Sequence, residues 1–66
     1  MKVKDLLKII SDVKLYIEFK DKQSYASYGF YTKSDLIYND KFNNYKIDNI
    51  TSQYIDKKRV IVVFIK

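Results

Sequence analysis

Residues 60–65 read VIVVFI, and what covers this run decides the fold. A strand with one wet face alternates apolar and polar residues, whereas an unbroken run of β-branched and aromatic side chains wants cover on both faces. The run therefore predicts an interior strand of a sheet. Immediately before it, Asp56-Lys57-Lys58 is a polar turn, and Tyr45 to Tyr54 precedes that turn as a partner strand. In this partner Tyr45 and Ile47 share one parity, while Ile50, Ser52 and Tyr54 share the other. One residue inserted near Asp48-Asn49, a β-bulge, produces such a switch.

The first half of the chain supplies the rest of the sheet. Val13, Leu15, Ile17 and Phe19 alternate with Lys14, Tyr16, Glu18 and Lys20, the pattern of a half-buried strand. Asp21 to Ser24 suits a hairpin turn, after which Tyr25 to Tyr31 returns antiparallel. Ahead of these, Val3, Leu6, Leu7 and Ile10 stand at i, i+3, i+4 and i+7 and predict a helix over 3–11. Thr32 or Ser34 can cap a second, short helix over 34–40, with Asp35 in its first turn. The expected fold is α+β, in the order α-β-β-α-β-β: a four-stranded antiparallel sheet with the N-terminal helix and the short second helix packed on one face. Val13, Leu15, Ile17, Phe19, Val60, Val62 and Phe64 should supply its core, with Val3, Leu6, Leu7 and Ile10 laid upon them.

A chain of 66 residues makes one small domain, 1–66, with a thin margin of stability. It has no Cys and no His, so disulfides, thiolate or imidazole metal sites and His-based catalytic dyads and triads are excluded. No cofactor is expected. The eight carboxylates are scattered singly, most of them in turns and at helix ends, where Asp is at home without catalysis. An enzyme is not expected. No apolar run reaches the roughly 18 residues of a membrane span and the start has no leader pattern, so a cytoplasmic protein without a membrane partner is expected.

The candidate site lies among the rings. In the stretch 24–32, SYASYGFYT, strict alternation places Ala26, Tyr28 and Phe30 on one face and Tyr25, Ser27, Gly29 and Tyr31 on the other. With the first face in the core, Tyr25 and Tyr31 join Tyr16 and Lys14 of the first strand in an amphipathic patch suited to a protein contact. Cross-strand aromatic pairs that only stabilise the sheet would account for the same residues. Lys57, Lys58 and Arg59 form the densest basic cluster, and with a formal charge of +5 they offer a phosphate-contacting turn. A solvated turn that deters edge aggregation is the plainer reading of that cluster. Twelve of the thirteen basic residues are Lys, although Arg is the better ligand for phosphate and guanine. Nucleic-acid binding is accordingly expected to be weak.

The opening MKVKDLLKIISD, the closing strand KKRVIVVFIK and the dominance of Lys, Ile, Asn, Tyr and Phe, 36 residues of 66, belong together. In these features the whole chain resembles the small accessory proteins of phages and mobile elements in AT-rich Firmicutes, which include host inhibitors of the anti-CRISPR type. The resemblance implies a non-enzymatic protein-binding module that occludes a host protein or complex, such as a CRISPR effector, in the host cytoplasm. Self-association through the Tyr-rich sheet face is part of the same expectation. The alternative is a small basic nucleic-acid-binding protein that uses the sheet aromatics and the Lys57–Arg59 turn.

Overall fold

A computed structural model of the chain describes residues 1–11 and 14–66. Helix α1 (Val3–Ile9) leads to β1 (Tyr16–Asp21), β2 (Ser27–Thr32) and α2 (Lys33–Tyr38). A single 3-10 turn (Asp40–Phe42) then precedes β3 (Ile47–Ile55) and β4 (Lys58–Ile65). The α+β class and the element order are as the sequence predicts. α1 ends two residues earlier than its apolar spacing suggests, with Ile10 as an extended C-cap. Val13, expected in the first strand and in the core, lies outside the described residues, as does Asp12.

Local chemistry accounts for the helix starts. The Asp5 carboxylate accepts the Lys2 N–H at 3.0 Å and so satisfies a donor at the N-terminus of α1. At α2, Thr32 and Asp35 form a reciprocal capping box: Thr32 Oγ1 accepts the Asp35 N–H at 3.2 Å, and the Asp35 carboxylate accepts the Thr32 N–H at 2.9 Å. Of the two caps the sequence offers, Thr32 is the one used.

The four strands form one sheet in the order β2-β1-β4-β3. β4 is interior, as its unbroken apolar run requires. The sheet is mixed, however, and not antiparallel throughout: β1 runs parallel to β4, with Tyr16 opposite Val60 and Asp21 opposite Ile65. Two antiparallel hairpins, β1–β2 and β3–β4, are thus joined along a parallel seam. The bulge expected near Asp48-Asn49 is present as a register shift between Ile47 and Asn49.

The seam also corrects the expected core. Ile17 and Phe19 share a sheet face with Ile61, Val63 and Ile65, whereas Val60, Val62 and Phe64 stand on the opposite face with Tyr16, Glu18 and Lys20. The main core cluster joins Ile17, Phe19, Val63 and Ile65 to Val3, Leu6, Leu7 and Ile10 and to Leu15, Leu36 and Phe42. Phe42 stacks on Phe19 at 4.4 Å between ring centroids. Val60 and Val62 are buried on the other side of the sheet, and Phe64 is only half-buried.

Candidate functional site

The face carrying Glu18 is the surface on which the sequence's candidate residues have to be placed. Pairing brings Phe30 of β2 beside Glu18, Thr32 beside Tyr16, and Gln53 and Thr51 of β3 beside Val60 and Val62. At its centre the Glu18 side chain is 6% exposed, and its carboxylate accepts the Ser27 hydroxyl at 2.7 Å. An acid so placed needs such a donor, because burying a carboxylate without hydrogen bonds is costly.

Two aromatic ends flank this centre. Near the β3–β4 turn, Tyr16, Phe30, Ile55, Asp56, Lys58 and Val60 line an open groove of about 190 Å³. The Lys58 ammonium lies 5.2 Å from the centre of the Tyr16 ring, a cation–π contact that lays the lysine stem along the groove. Phe30 remains 52% exposed. At the opposite end Tyr25, 66% exposed, meets Phe64 edge to face at 5.6 Å. Lys22, Asp48 and Asn49 complete a shallow depression around these two rings. Asp48 is held there between Lys22 at 3.1 Å and Lys66 at 3.7 Å.

Tyr25 owes its position to the β1–β2 turn. Its φ of +60° is in the left-handed region, and its N–H donates to the Asp21 carbonyl at 3.0 Å. The Asp21 carboxylate fastens the same turn by accepting both the Ser24 hydroxyl at 2.8 Å and the Ser24 N–H at 3.1 Å. Those bonds from Ser24, the hydroxyl foremost, hold the Asp21 carboxyl below its ordinary range.

The predicted residues are therefore dispersed. Tyr16 and Tyr25 share the Glu18 face but occupy its two ends. Tyr31 is turned to the other face and packs on the core, 5.9 Å from Phe19 and 5.3 Å from Phe42 by ring centroids. The reason is Gly29. Between Glu18 and Lys20 the β1–β2 register shifts, so that Tyr28 and Gly29 stand against the single residue Phe19, and Gly29 takes φ +104°, which glycine alone adopts readily. Tyr28, ahead of the shift, keeps the core side expected of it, 6.2 Å from Phe42, and the alternation assumed for 24–32 breaks after it. Phe30 therefore occupies the open face. A lone Gly inside an aromatic strand is the signal that could have located this bulge.

Lys14 is exposed just ahead of β1. Asp56 and Lys57 form the β3–β4 turn, both with positive φ, and Lys58 and Arg59 open β4. The Arg59 guanidinium lies 5.9 Å from the Tyr54 ring centre, and its Nη2 donates to the Tyr54 hydroxyl at 3.4 Å. Two of the three turn cations are thus engaged by rings of their own chain. Among the described residues no helix is long and apolar enough to cross a membrane, and no group of acidic, His or Cys side chains could hold a metal ion. No known protein family matches the chain, and no curated protein or solved structure is significantly similar to it.

Proposed function

We propose that this chain is a non-enzymatic protein-binding module that docks on its partner through the Glu18 face, with both helices backing the opposite face. The observation that carries this reading is the groove of Tyr16, Phe30, Ile55 and Val60 edged by the Lys58 stem. Exposed rings beside a small apolar recess are what interface anchors are made of, because a ring contributes area at low entropic cost. The occluding action on a host protein implied by the resemblance to mobile-element accessory proteins needs no more than such a surface. Lys58 and Arg59 rest against Tyr16 and Tyr54, which places their stems beside rings without removing their charge.

Capture of partners from host lysate on the tagged protein, with and without nuclease, tests the reading. A protein should be retained after nuclease at about 200 mM salt, where binding through phosphate contacts has largely been lost. Tyr16→Ser together with Phe30→Ser should release it while the circular dichroism spectrum stays unchanged. Tight, salt-sensitive binding to purified nucleic acid that disappears when Lys57, Lys58 and Arg59 become Gln would replace this function with nucleic-acid binding.

A further inference from the structure

β3 is the outermost strand of the sheet, paired with β4 on one side and, among the described residues, met on the other only at its start, and it is exposed along nearly its whole length. From Asn49 to Ile55 it contains no charge, no Gly and no Pro. Natural edge strands are normally blunted by such residues or covered, because an open edge is a template for another strand. The chain itself already uses the beginning of this edge. The Ile47 N–H donates to the Met1 carbonyl at 2.9 Å and the Val3 N–H donates to the Tyr45 carbonyl at 3.0 Å. Met1 to Val3 thereby makes one antiparallel bridge, Lys2 opposite Lys46, that stops opposite Ile47.

We propose that the remainder of the β3 edge pairs antiparallel with β3 of a second copy about a two-fold axis at Ser52. The turn fixes which groups are available. Asp56 and Lys57, both with positive φ, make a two-residue hairpin that closes on the Ile55–Lys58 pair. Ile55, Gln53 and Thr51 then bond to β4, and the N–H and C=O groups of Tyr54, Ser52 and Ile50 point outwards. The Ile50 N–H accordingly turns to the Asn49 side-chain oxygen at 2.9 Å instead of to β4.

Met1 to Val3 sets the register. An axis at Thr51 would bring Ile55 of the second copy opposite Ile47, where Met1 already lies. An axis at Ser52 gives the longest pairing that clears this segment. In that register Ile50, 39% exposed, meets Tyr54 of the second copy, 72% exposed, twice by symmetry, an aromatic–β-branched pair of the kind that stabilises sheets. The register also sets Asp48 against Asp56 of the second copy, a like-charge contact that Lys22 and Lys66 beside Asp48 offset. The product is a continuous eight-stranded sheet whose axis is normal to it, so both Glu18 faces look the same way. The pairing does not depend on the function proposed for that face.

Sedimentation of the chain over a micromolar-to-millimolar series should show the mass doubling from 8.0 kDa. Ser52→Pro removes an outward N–H and no bond to β4, and should weaken the dimer at least about tenfold. The chain has no Cys, so Thr51→Cys, Ser52→Cys and Gln53→Cys can be compared singly under mild oxidation. Cross-linking should be fastest at Ser52, where the paired Cα atoms would be about 5.5 Å apart. If Ser52→Pro unfolds the chain, Ile50→Lys at an exposed position takes its place with the same expected loss. A monomer at every concentration, a dimer indifferent to these substitutions, cross-linking that favours another position, or a monomer that binds a foreign extended peptide along β3 instead would each overturn the pairing.

Discussion

β2 borders the sheet on one side, with a bulge at Gly29 and with Tyr28 and Tyr31 folded onto Phe42. β3 borders it on the other, straight beyond Asn49, uncharged to Ile55 and exposed on both faces. Both edges present outward backbone groups, yet only β2 carries a glycine bulge in its middle. A bulge bends and twists the strand that carries it, so the next strand cannot lie flat along β2. On β2, Tyr31 packs on the core and Tyr28 reaches towards Phe42, whereas Tyr54 of β3 is 72% exposed beside Arg59 of the neighbouring strand. An edge can therefore be closed from within by a single Gly and a few rings, and left open where neither is present.

The largest expected effect tests what backs the β2 edge. Phe42→Ala should cost about 3–5 kcal/mol in a denaturant titration, because the ring is buried and stacked on Phe19. Tyr54→Ala on the opposite edge should stay within about 0.5 kcal/mol for the monomer. Equal costs at the two positions would erase the contrast. Next is Gly29→Ala: space around a new Cβ is ordinary, its nearest contact being Tyr31 Oη at 3.7 Å, but φ +104° is strained for an L-residue, and a loss of about 1–2 kcal/mol is expected. A neutral result would mean that the bulge relaxes without cost.

On the β3 side, Lys57→Gly relieves a left-handed non-glycine residue at φ +65° and should stabilise the hairpin by about 0.5–1 kcal/mol. Thermal unfolding measured below the association threshold checks it, and destabilisation would mean that the lysine side chain matters more than the backbone. The smallest effect concerns the β1–β2 turn. The Asp21 carboxyl is held below its ordinary range by Ser24, so the folded state gains stability that is present above that range and lost as pH falls through the folded value. Amide exchange at Ser24 and Tyr25 should rise below about pH 4, beyond the intrinsic rate. Ser24→Ala should flatten the dependence.

Much of this architecture could be read from residue patterns because it rests on local chemistry. Thr32 with Asp35, the parity switch around Asp48, the polar residues at Asp56–Lys58 and the unbroken run Val60–Ile65 each point to one local outcome. What could not be read depends on relations between strands. Alternation in Leu15–Lys20 tells which residues share a face, but it carries no information on whether the neighbouring strand runs parallel or antiparallel. With Val60 to Ile65 all apolar there is also no alternation in β4, so Val62 and Val63 are equivalent in pattern and opposite in direction. The positions of the candidate residues were legible only in part. Tyr16 and Tyr25 do lie on the open face, but the bulge at Gly29 exchanges the expected Tyr31 for Phe30.

The parallel seam between β1 and β4 also orders the folding reaction. Each hairpin closes over a short turn and forms from contacts near in sequence, whereas the seam joins Tyr16 to Val60 across most of the chain. Closing that loop costs chain entropy before any of its contacts are repaid. Formation of the seam is therefore the step expected to limit refolding. Substitutions along the seam, at Val63 above all, should slow refolding, while changes confined to either turn act chiefly on how readily its own hairpin opens.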